Sequence, residues 1–230
     1  MRRALTFLQT VAVIAAVTGA VRAAIRPSPK FESSAPLAVW KNGGFMINNN
    51  EWNRSARRQT IWANSYGSWG VQSDQAVGHA VENYPCVRQY YDNMLVTSFH
   101  LIRNGFTESM PDASGVDAEA ADDVWLNDHA IEVMIWVENH GQTPAGDIIG
   151  QPTIFGQSFA VWHGSSTYAF ALNGNETSGV THILASIQWL MAHGYVPASA
   201  TLAQVDFGWE IVSAGGSPMN FTMTNYWLPS

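Results

Sequence analysis

Two glutamates lie in short segments that otherwise consist mainly of apolar and aromatic residues, Glu132 in AIEVMIWV (130–137) and Glu210 in VDFGWEIV (205–212). In both segments the residue character alternates with a period of two, which predicts a β-strand with one apolar face. Each glutamate falls on the opposite face, where a buried charge needs a partner. A pair of carboxyl groups can act as proton donor and as base or nucleophile, so the two segments are candidates for acid–base chemistry.

The partner of Glu132 must come from another strand. Glu138 directly follows this segment and shares the face of Glu132, but the extended chain between them places it about 20 Å away, too far for both carboxyls to act on one bond. Glu210 is therefore the expected partner. Gly208, on the same face as Glu210, predicts open space beside it for an approaching ligand.

A third acid is expected close to Glu132. The segment DVWLNDHAIEV has the pattern of a hairpin in which Asn127 and Asp128 form a tight turn. That turn places Asp123 directly opposite Glu132, with about 5 Å between the two Cβ atoms. Opposed carboxylates repel, so a shared proton or a short hydrogen bond is expected, as in a functional acid pair. The rest of the acidic stretch 110–123 is predicted to be a solvated loop.

Other chemistries find little support in the sequence. The seven histidines are scattered without the spacing of a metal site, and no nucleophile elbow, phosphate-binding loop or dinucleotide fingerprint occurs. Neither a metal nor a cofactor is therefore expected. Cys86 is the only cysteine, which excludes an internal disulfide and is typical of a small buried apolar residue.

The N-terminal residues 1–23 have the organisation of a secretory signal peptide. Two arginines precede an apolar stretch (10–21) that is too short to span a bilayer, and a cleavage site ends at Ala23. Cleavage would leave residues 24–230 as one domain and, by removing three arginines and no acid, would change the net charge from −7 to −10. A secreted acidic protein has no electrostatic reason to bind nucleic acid or an anionic membrane, so a neutral partner is expected.

Short β-like segments separated by Gly, Asn, Ser and Pro follow one another from Trp40 onward, which is typical of an antiparallel sandwich or barrel. One segment differs, because apolar residues at helical spacing between 183 and 191 predict a single amphipathic helix. Ser178 or Thr181 is expected to cap this helix, and Gly194 to end it. About half of the ten tryptophans are expected in the core and the rest on a ligand surface, because flat rings stack on the apolar faces of sugars.

Several of these segments have counterparts in one known family. DVWL followed by IEVMIWVENHGQTPAG, and later VDFGWEIVS, resemble the two catalytic strands of glycoside hydrolase family 12, and NNNEWN (48–53) resembles its N-terminal substrate-binding stretch. The similarity extends from about Trp40 to Leu228. It implies an all-β fold, a jelly-roll sandwich of two antiparallel sheets with a concave substrate cleft and one amphipathic helix packed on it.

The resemblance also implies a role for each acid. Glu132 matches the family's nucleophile, Glu210 its acid/base residue, and Asp123 the aspartate that hydrogen-bonds the nucleophile. Five further residues match positions of the substrate-binding cleft: Asn50, Trp52, Met134, Pro144 and Gly146. Trp136 is expected either to stack on a sugar ring or to pack in the core. Val212 departs from the family, where a cysteine is expected.

The function that the resemblance implies is that of a secreted endo-acting β-1,4-glucanase. It would hydrolyse internal bonds of soluble or amorphous cellulose and related β-glucans with retention of configuration, as a monomer and without a membrane contact once the signal peptide is removed. Two alternatives stay open. A xyloglucan-specific endoglucanase would differ in the loops that accept side branches. A non-catalytic carbohydrate-binding jelly roll would gain nothing from three desolvated acids.

Overall fold

The structure, a computed structural model, describes residues 28–52, 59–76, 78 and 80–229. The predicted signal peptide, residues 1–23, lies outside them. The described part of the chain contains sixteen β-strands, a 3₁₀ helix at Val96–Ser98 and the α-helix α1 at Ile183–Ala192. The strands are β1 Phe31–Ser33, β2 Val39–Asn42, β3 Phe45–Asn48, β4 Gln59–Ser65, β5 Ser68–Ser73, β6 Cys86–Leu95, β7 Asn104–Ser109, β8 Val116–Leu126, β9 Ile131–His140, β10 Asp147–Gly150, β11 Thr153–Ile154, β12 Gln157–Gly164, β13 Thr167–Leu172, β14 Ser178–Thr181, β15 Thr201–Ala214 and β16 Met219–Trp227.

The strands form two sheets. The smaller sheet has six strands in the order β1-β4-β5-β16-β7-β14, and the larger has ten, in the order β10-β12-β13-β9-β8-β15-β6-β3-β2 with β11 paired to β12. Paired strands are antiparallel except β13 and β9, which run parallel. The predicted all-β sandwich with one helix is thus confirmed, with this parallel pair as its one difference from a purely antiparallel arrangement among the described strands. β9, β8 and β15 lie side by side at the centre of the larger sheet.

The core lies between the two sheets and is formed by alternate residues of each strand. One face of β15 is fully buried there: Val205, Phe207, Trp209 and Ile211. The ring of Trp209 lies 4.9 Å from that of Trp69 on the smaller sheet, so the two sheets are in direct contact. Because a slip of one residue would move this apolar set to the outer face, core packing specifies which way β15 presents its acids. Glu210 consequently lies on the outer face of the larger sheet.

The helix α1 packs on the core through four buried residues at helical spacing: Ile183, Leu184, Ile187 and Leu190. It ends as predicted, because Gly194 adopts a φ of +77° and its N–H donates to the Met191 carbonyl at 3.1 Å. The predicted cap is wrong, since Ser178 and Thr181 belong to β14, which pairs with β7. The helix instead begins after His182 without a side-chain cap. No helix in the described ranges is long and apolar enough to span a bilayer.

The acidic stretch 110–123 is not a solvated loop throughout. From Val116 onward it belongs to β8, a central strand of the larger sheet. Glu119 and Asp122 on this strand have no exposed surface at all. The charge pattern was misleading because these carboxyls meet polar partners elsewhere in the fold. One is Asn104 on β7 of the smaller sheet, whose side-chain amide donates to Asp122.

Candidate active site

The outer face of the larger sheet carries a cavity of about 380 Å³. The predicted acids Glu132, Glu210 and Asp123 all line it, one on each of the three adjacent strands β9, β15 and β8. The described residues that line it are Asn50, Trp52, Tyr84, Arg88, Tyr90, Asp123, Trp125, His129, Glu132, Gln204 and Glu210. Three acids from three different strands therefore line one cavity.

The hairpin between β8 and β9 is longer than the predicted two-residue turn. β8 ends at residue 126 and β9 begins at residue 131, so four residues form the connection. Asn127, Asp128 and His129 adopt positive φ values of 51°, 53° and 70°. Asn and Asp tolerate this left-handed region better than most residues, which explains why they occupy the turn but does not limit it to two positions.

The longer turn shifts the register of the hairpin by two residues. Glu132 lies opposite Trp125, and Asp123 lies opposite Met134, so the prediction that Asp123 and Glu132 are directly opposed is wrong. A shift of two residues keeps every side chain on its face, whereas a shift of one would reverse it. Asp123 and Glu132 therefore remain diagonal neighbours, and their carboxyl groups share a hydrogen bond.

Glu132 is held by a second partner as well. The hydroxyl of Thr167 donates to Glu132 Oε2 at 2.5 Å, and Thr167 lies directly opposite Glu132 on the parallel strand β13. Burial raises the pKa of Glu132, while the hydrogen bonds from Thr167 and Asp123 act in the opposite direction. Sequence patterns could not identify Thr167, because a parallel pairing leaves no local signal.

Asp123 is the more strongly perturbed member of its pair. It is buried, and Trp125 Nε1 donates to its Oδ2 at 2.9 Å. Burial raises the pKa of Asp123 well above its usual value, and the nearby charge of Glu132 raises it further. The stronger rise at Asp123 favours placing a shared proton on Asp123, which then donates to Glu132 and lowers the pKa of Glu132.

Glu210 lies beside an acid that the sequence analysis missed. Glu119 on β8 is directly opposite Glu210 on β15, and the two carboxyls are within hydrogen-bonding reach. Burial raises the pKa of Glu210 to about 7, the hydrogen bond from Glu119 lowers it, and the charge of Glu132 raises it. Glu210 is thus poised to hold a proton at mildly acidic pH and to lose it near neutrality. The alternation of Asp117, Glu119 and Asp123 with small residues was the signal that could have assigned Glu119 to a strand.

Two predicted substrate-binding residues lie at the cavity. Asn50 and Trp52 follow β3, and the side-chain amide of Asn50 donates to the Tyr84 carbonyl at 3.0 Å. Asn50 has a φ of 44°. Trp52 is 50% exposed, so part of its surface is accessible to a ligand in the cavity.

The other predicted binding residues do not line the cavity. Met134 shares the face of Glu132, but it is buried against Ala121 and Trp136. Trp136 is only 4% exposed, which fits packing rather than stacking on a sugar. Pro144 and Gly146 lie in the connection between β9 and β10.

Two glycines are explained by close packing of the main chain. A Cβ at Gly146, whose φ is +87°, would lie 1.9 Å from the His163 carbonyl oxygen. A Cβ at Gly208 would lie 2.0 Å from the Pro85 carbonyl oxygen, so the predicted open space beside Glu210 is filled by main chain. Close backbone approach is therefore the reason for both residues.

An ion pair that the sequence did not suggest lies in the same cavity wall. The Arg88 guanidinium on β6 donates to Asp206 Oδ1 at 2.9 Å and to its Oδ2 at 2.7 Å. Asp206 is fully buried directly opposite Asp123, so its charge would face another acid without Arg88. Among the described residues, no group of three or more His, Cys, Asp or Glu is arranged to hold a metal ion.

Comparison with known proteins identifies the family of this fold. Residues 43–228 match the model of glycosyl hydrolase family 12. Endoglucanase A of Aspergillus kawachii (strain NBRC 4308) is 27% identical, over 79% of this chain and 85% of that protein. Two solved structures share the fold: the xyloglucanase domain of NopAA from Sinorhizobium fredii (TM-score 0.80, 22% identity, 88% of this chain and 99% of that one) and a family 12 xyloglucanase from Bacillus licheniformis (0.77, 21%, 86% and 99%).

The family match spans both strands that carry the paired acids as well as the helix, and the structural neighbours have the same two-sheet architecture. The family resemblance noted in the sequence is thereby confirmed. The chain belongs to glycosyl hydrolase family 12 and is a glycoside hydrolase.

Proposed function

We propose that the protein is an endo-acting β-1,4-glucanase that cleaves internal bonds of soluble or amorphous β-glucans by double displacement with retention. Glu132 is the nucleophile, Glu210 the acid/base residue, and Asp123 orients the nucleophile. One observation carries the proposal: a glutamate that is hydrogen-bonded by Thr167 and Asp123 lines the same cavity as a second glutamate, whose pKa burial raises to about 7. Retaining glycosidases need this division between a carboxylate and a carboxylic acid.

The proposed reaction has two steps. In the first, Glu132 attacks the anomeric carbon while Glu210 transfers its proton to the departing glycosidic oxygen, which leaves a glycosyl ester on Glu132. In the second, the Glu210 carboxylate removes a proton from water, the water oxygen attacks the anomeric carbon, and Glu132 is released as a carboxylate. Glu210 regains its proton, so the cycle closes without a cofactor.

The cavity wall beside β3 is proposed to bind the sugar chain. Trp52 offers an exposed ring for stacking, and Asn50 lies next to it at the cavity. For a secreted enzyme the substrate would be an extracellular polysaccharide. Secretion and a monomeric state stay predictions.

A xyloglucan-specific enzyme is the second candidate. It is favoured by the fact that both structural neighbours named above are xyloglucanases. The two neighbours are 22% and 21% identical to this chain, and similarity at this level shows a shared fold. Whether this enzyme prefers branched chains is a question for the substrate assay.

The test is hydrolysis by residues 24–230 of carboxymethylcellulose, mixed-linkage β-glucan and xyloglucan, measured as reducing-end release. Glu132→Gln should lower every rate by orders of magnitude, whereas Glu32→Gln, an exposed acid on β1, should not change it. The ranking of substrates decides between the two enzyme candidates. Binding of these polysaccharides without hydrolysis would support a carbohydrate-binding protein, and product NMR with the α-anomer appearing first would contradict retention.

A further inference from the structure

Glu119 is a buried carboxyl group for which the double-displacement mechanism has no use. It lies directly opposite Glu210, with the two side chains on the same face of the paired strands β8 and β15. Glu119 has no exposed surface, whereas Glu210 reaches the cavity. A buried acid beside a catalytic acid is costly unless one of the two carboxyls is neutral.

The surroundings of Glu119 hold it in one orientation. The side-chain amide of Gln142 donates to Glu119 Oε2 and, at 3.2 Å, to the main-chain carbonyl of Glu210. Gln142 is itself tied to Asn139 by two hydrogen bonds, of 2.8 Å and 3.0 Å. Within the described part of the chain, no N–H or O–H group donates to Glu119 Oε1, so this oxygen can carry a proton toward Glu210.

We propose that Glu119 is a positioning residue that stays protonated and donates a hydrogen bond to Glu210. It thereby stabilises the carboxylate that Glu210 becomes when it protonates the leaving group. The inference rests on the proposed function, in which Glu210 is the acid/base residue. The Glu119 proton is not transferred: the O–H bond that breaks is that of Glu210, and the departing glycosidic oxygen receives this proton.

The titratable groups around the pair favour this placement of the proton. Burial raises the pKa of Glu119 well above its usual value, and the charge of Glu210 raises it further. An ionised Asp123, on the same strand, would raise the pKa of Glu119 slightly more, whereas a protonated Asp123 leaves it unchanged. The charge of Glu132, from β9, acts on Glu210. Asn139, opposite Glu119 on β9, is neutral. A backbone hydrogen bond lowers the pKa of Glu119, but its effect is smaller than that of burial.

Two substitutions distinguish whether Glu119 acts as a hydrogen-bond donor or as a negative charge. Glu119→Gln keeps the size and a donating N–H, while Glu119→Met keeps the length and removes the donor. With mixed-linkage β-glucan as substrate, the alkaline limb of the pH profile of kcat/KM should have the same midpoint in Glu119→Gln as in the wild type. Glu119→Met should move that limb to higher pH and lower kcat about ten- to hundredfold, because a hydrogen bond to a charged group is lost.

Other outcomes would overturn the proposal. If Glu119 were ionised while Glu210 holds its proton, Glu119→Gln would remove a negative charge and move the alkaline limb to lower pH. If Glu119 served only the fold, both variants would lose activity equally at every pH, and the limb would stay in place.

An infrared measurement tests the proton without using activity. At about pH 8, one unit above the pKa of Glu210, the wild type minus Glu119→Gln difference spectrum should contain the band of a protonated carboxyl. A carboxylate band instead would refute the proposal. Because the spectrum needs no turnover, it decides the state of Glu119 even if Glu132→Gln were to show that the proposed function is wrong. It also decides the question if Glu119→Met fails to fold.

Discussion

Replacement of Arg88 by methionine should destabilise the protein strongly at neutral pH. The Arg88 side chain is 20% exposed and that of Asp206 is fully buried, and three donor–acceptor contacts of 2.9, 2.9 and 2.7 Å join them. Removing one partner of such a pair leaves an uncompensated buried charge and costs about 3–5 kcal/mol. We expect a cost at the lower end of this range for two reasons. Arg88 is partly exposed, and the side-chain amide of Gln204 still donates to Asp206 at 3.1 Å. About 3 kcal/mol corresponds to a fall in Tm of roughly 6–12 °C for a domain of this size.

The cost should depend on pH with a definite sign. In the wild type, burial raises the pKa of Asp206, and Arg88 counteracts this. Without Arg88 the native-state pKa of Asp206 rises further above the value of the unfolded chain. The native state then binds a proton that the unfolded chain has released, so the stability of the variant falls as the pH rises from about 4 through the native pKa.

The assay is urea unfolding of Arg88→Met and wild type at pH 5 and pH 8, followed by tryptophan fluorescence. The difference in unfolding free energy should be larger at pH 8. The double variant Arg88→Met/Asp206→Asn is the matched control, and it should recover most of the loss because no charge is left unpaired. A loss below about 1 kcal/mol at pH 8, as for an exposed ion pair, would refute the reasoning. So would a loss that the double variant does not recover.

Three further results are expected. The kcat/KM for hydrolysis of β-glucan should fall as the pH rises through about 7, because burial raises the pKa of Glu210 to that value and the acid must be protonated. An alkaline limb of the kcat/KM profile near the pKa of an ordinary glutamate would contradict the role of Glu210. Trp52→Ala should raise KM by up to about tenfold with an unchanged Tm, since the ring is half exposed; an unchanged KM would exclude stacking. Burial also raises the pKa of Glu108, which hydrogen-bonds Glu138, to about 9, so wild-type stability should fall between about pH 4.5 and 9. Glu108→Gln should flatten that decline by up to ~1.4 kcal/mol per pH unit in chemical denaturation, and parallel curves would refute the assignment.

Local periodicity was sufficient for the parts of this protein that depend on one strand or one helix. The alternation in 130–137 and 205–212 placed Glu132 and Glu210 on the faces that the structure shows, because side-chain direction in a strand repeats every two residues whatever its neighbours are. The helix and its end at Gly194 followed from spacing and from a residue that accepts positive φ.

Relations between strands were decided by the tertiary structure. The register of the β8–β9 hairpin depended on three consecutive residues in the left-handed region, where the sequence had predicted a two-residue turn. The predicted register was wrong by two residues. Because two is an even number, Asp123 and Glu132 stayed on the same face and in contact. Whether Trp136 was exposed depended on how closely Ala169 and its neighbours cover it.

The ionisation of the site likewise depended on residues distant in sequence. Arg88 meets Asp206 across 118 positions, and Glu119 meets Glu210 only because β8 and β15 are paired. The sequence by itself thus determined the strand pattern, the family and the two principal acids, since these are properties of short segments. The tertiary structure decided which acids are buried together and which of them hold a proton, because burial and charge act through space and not along the chain.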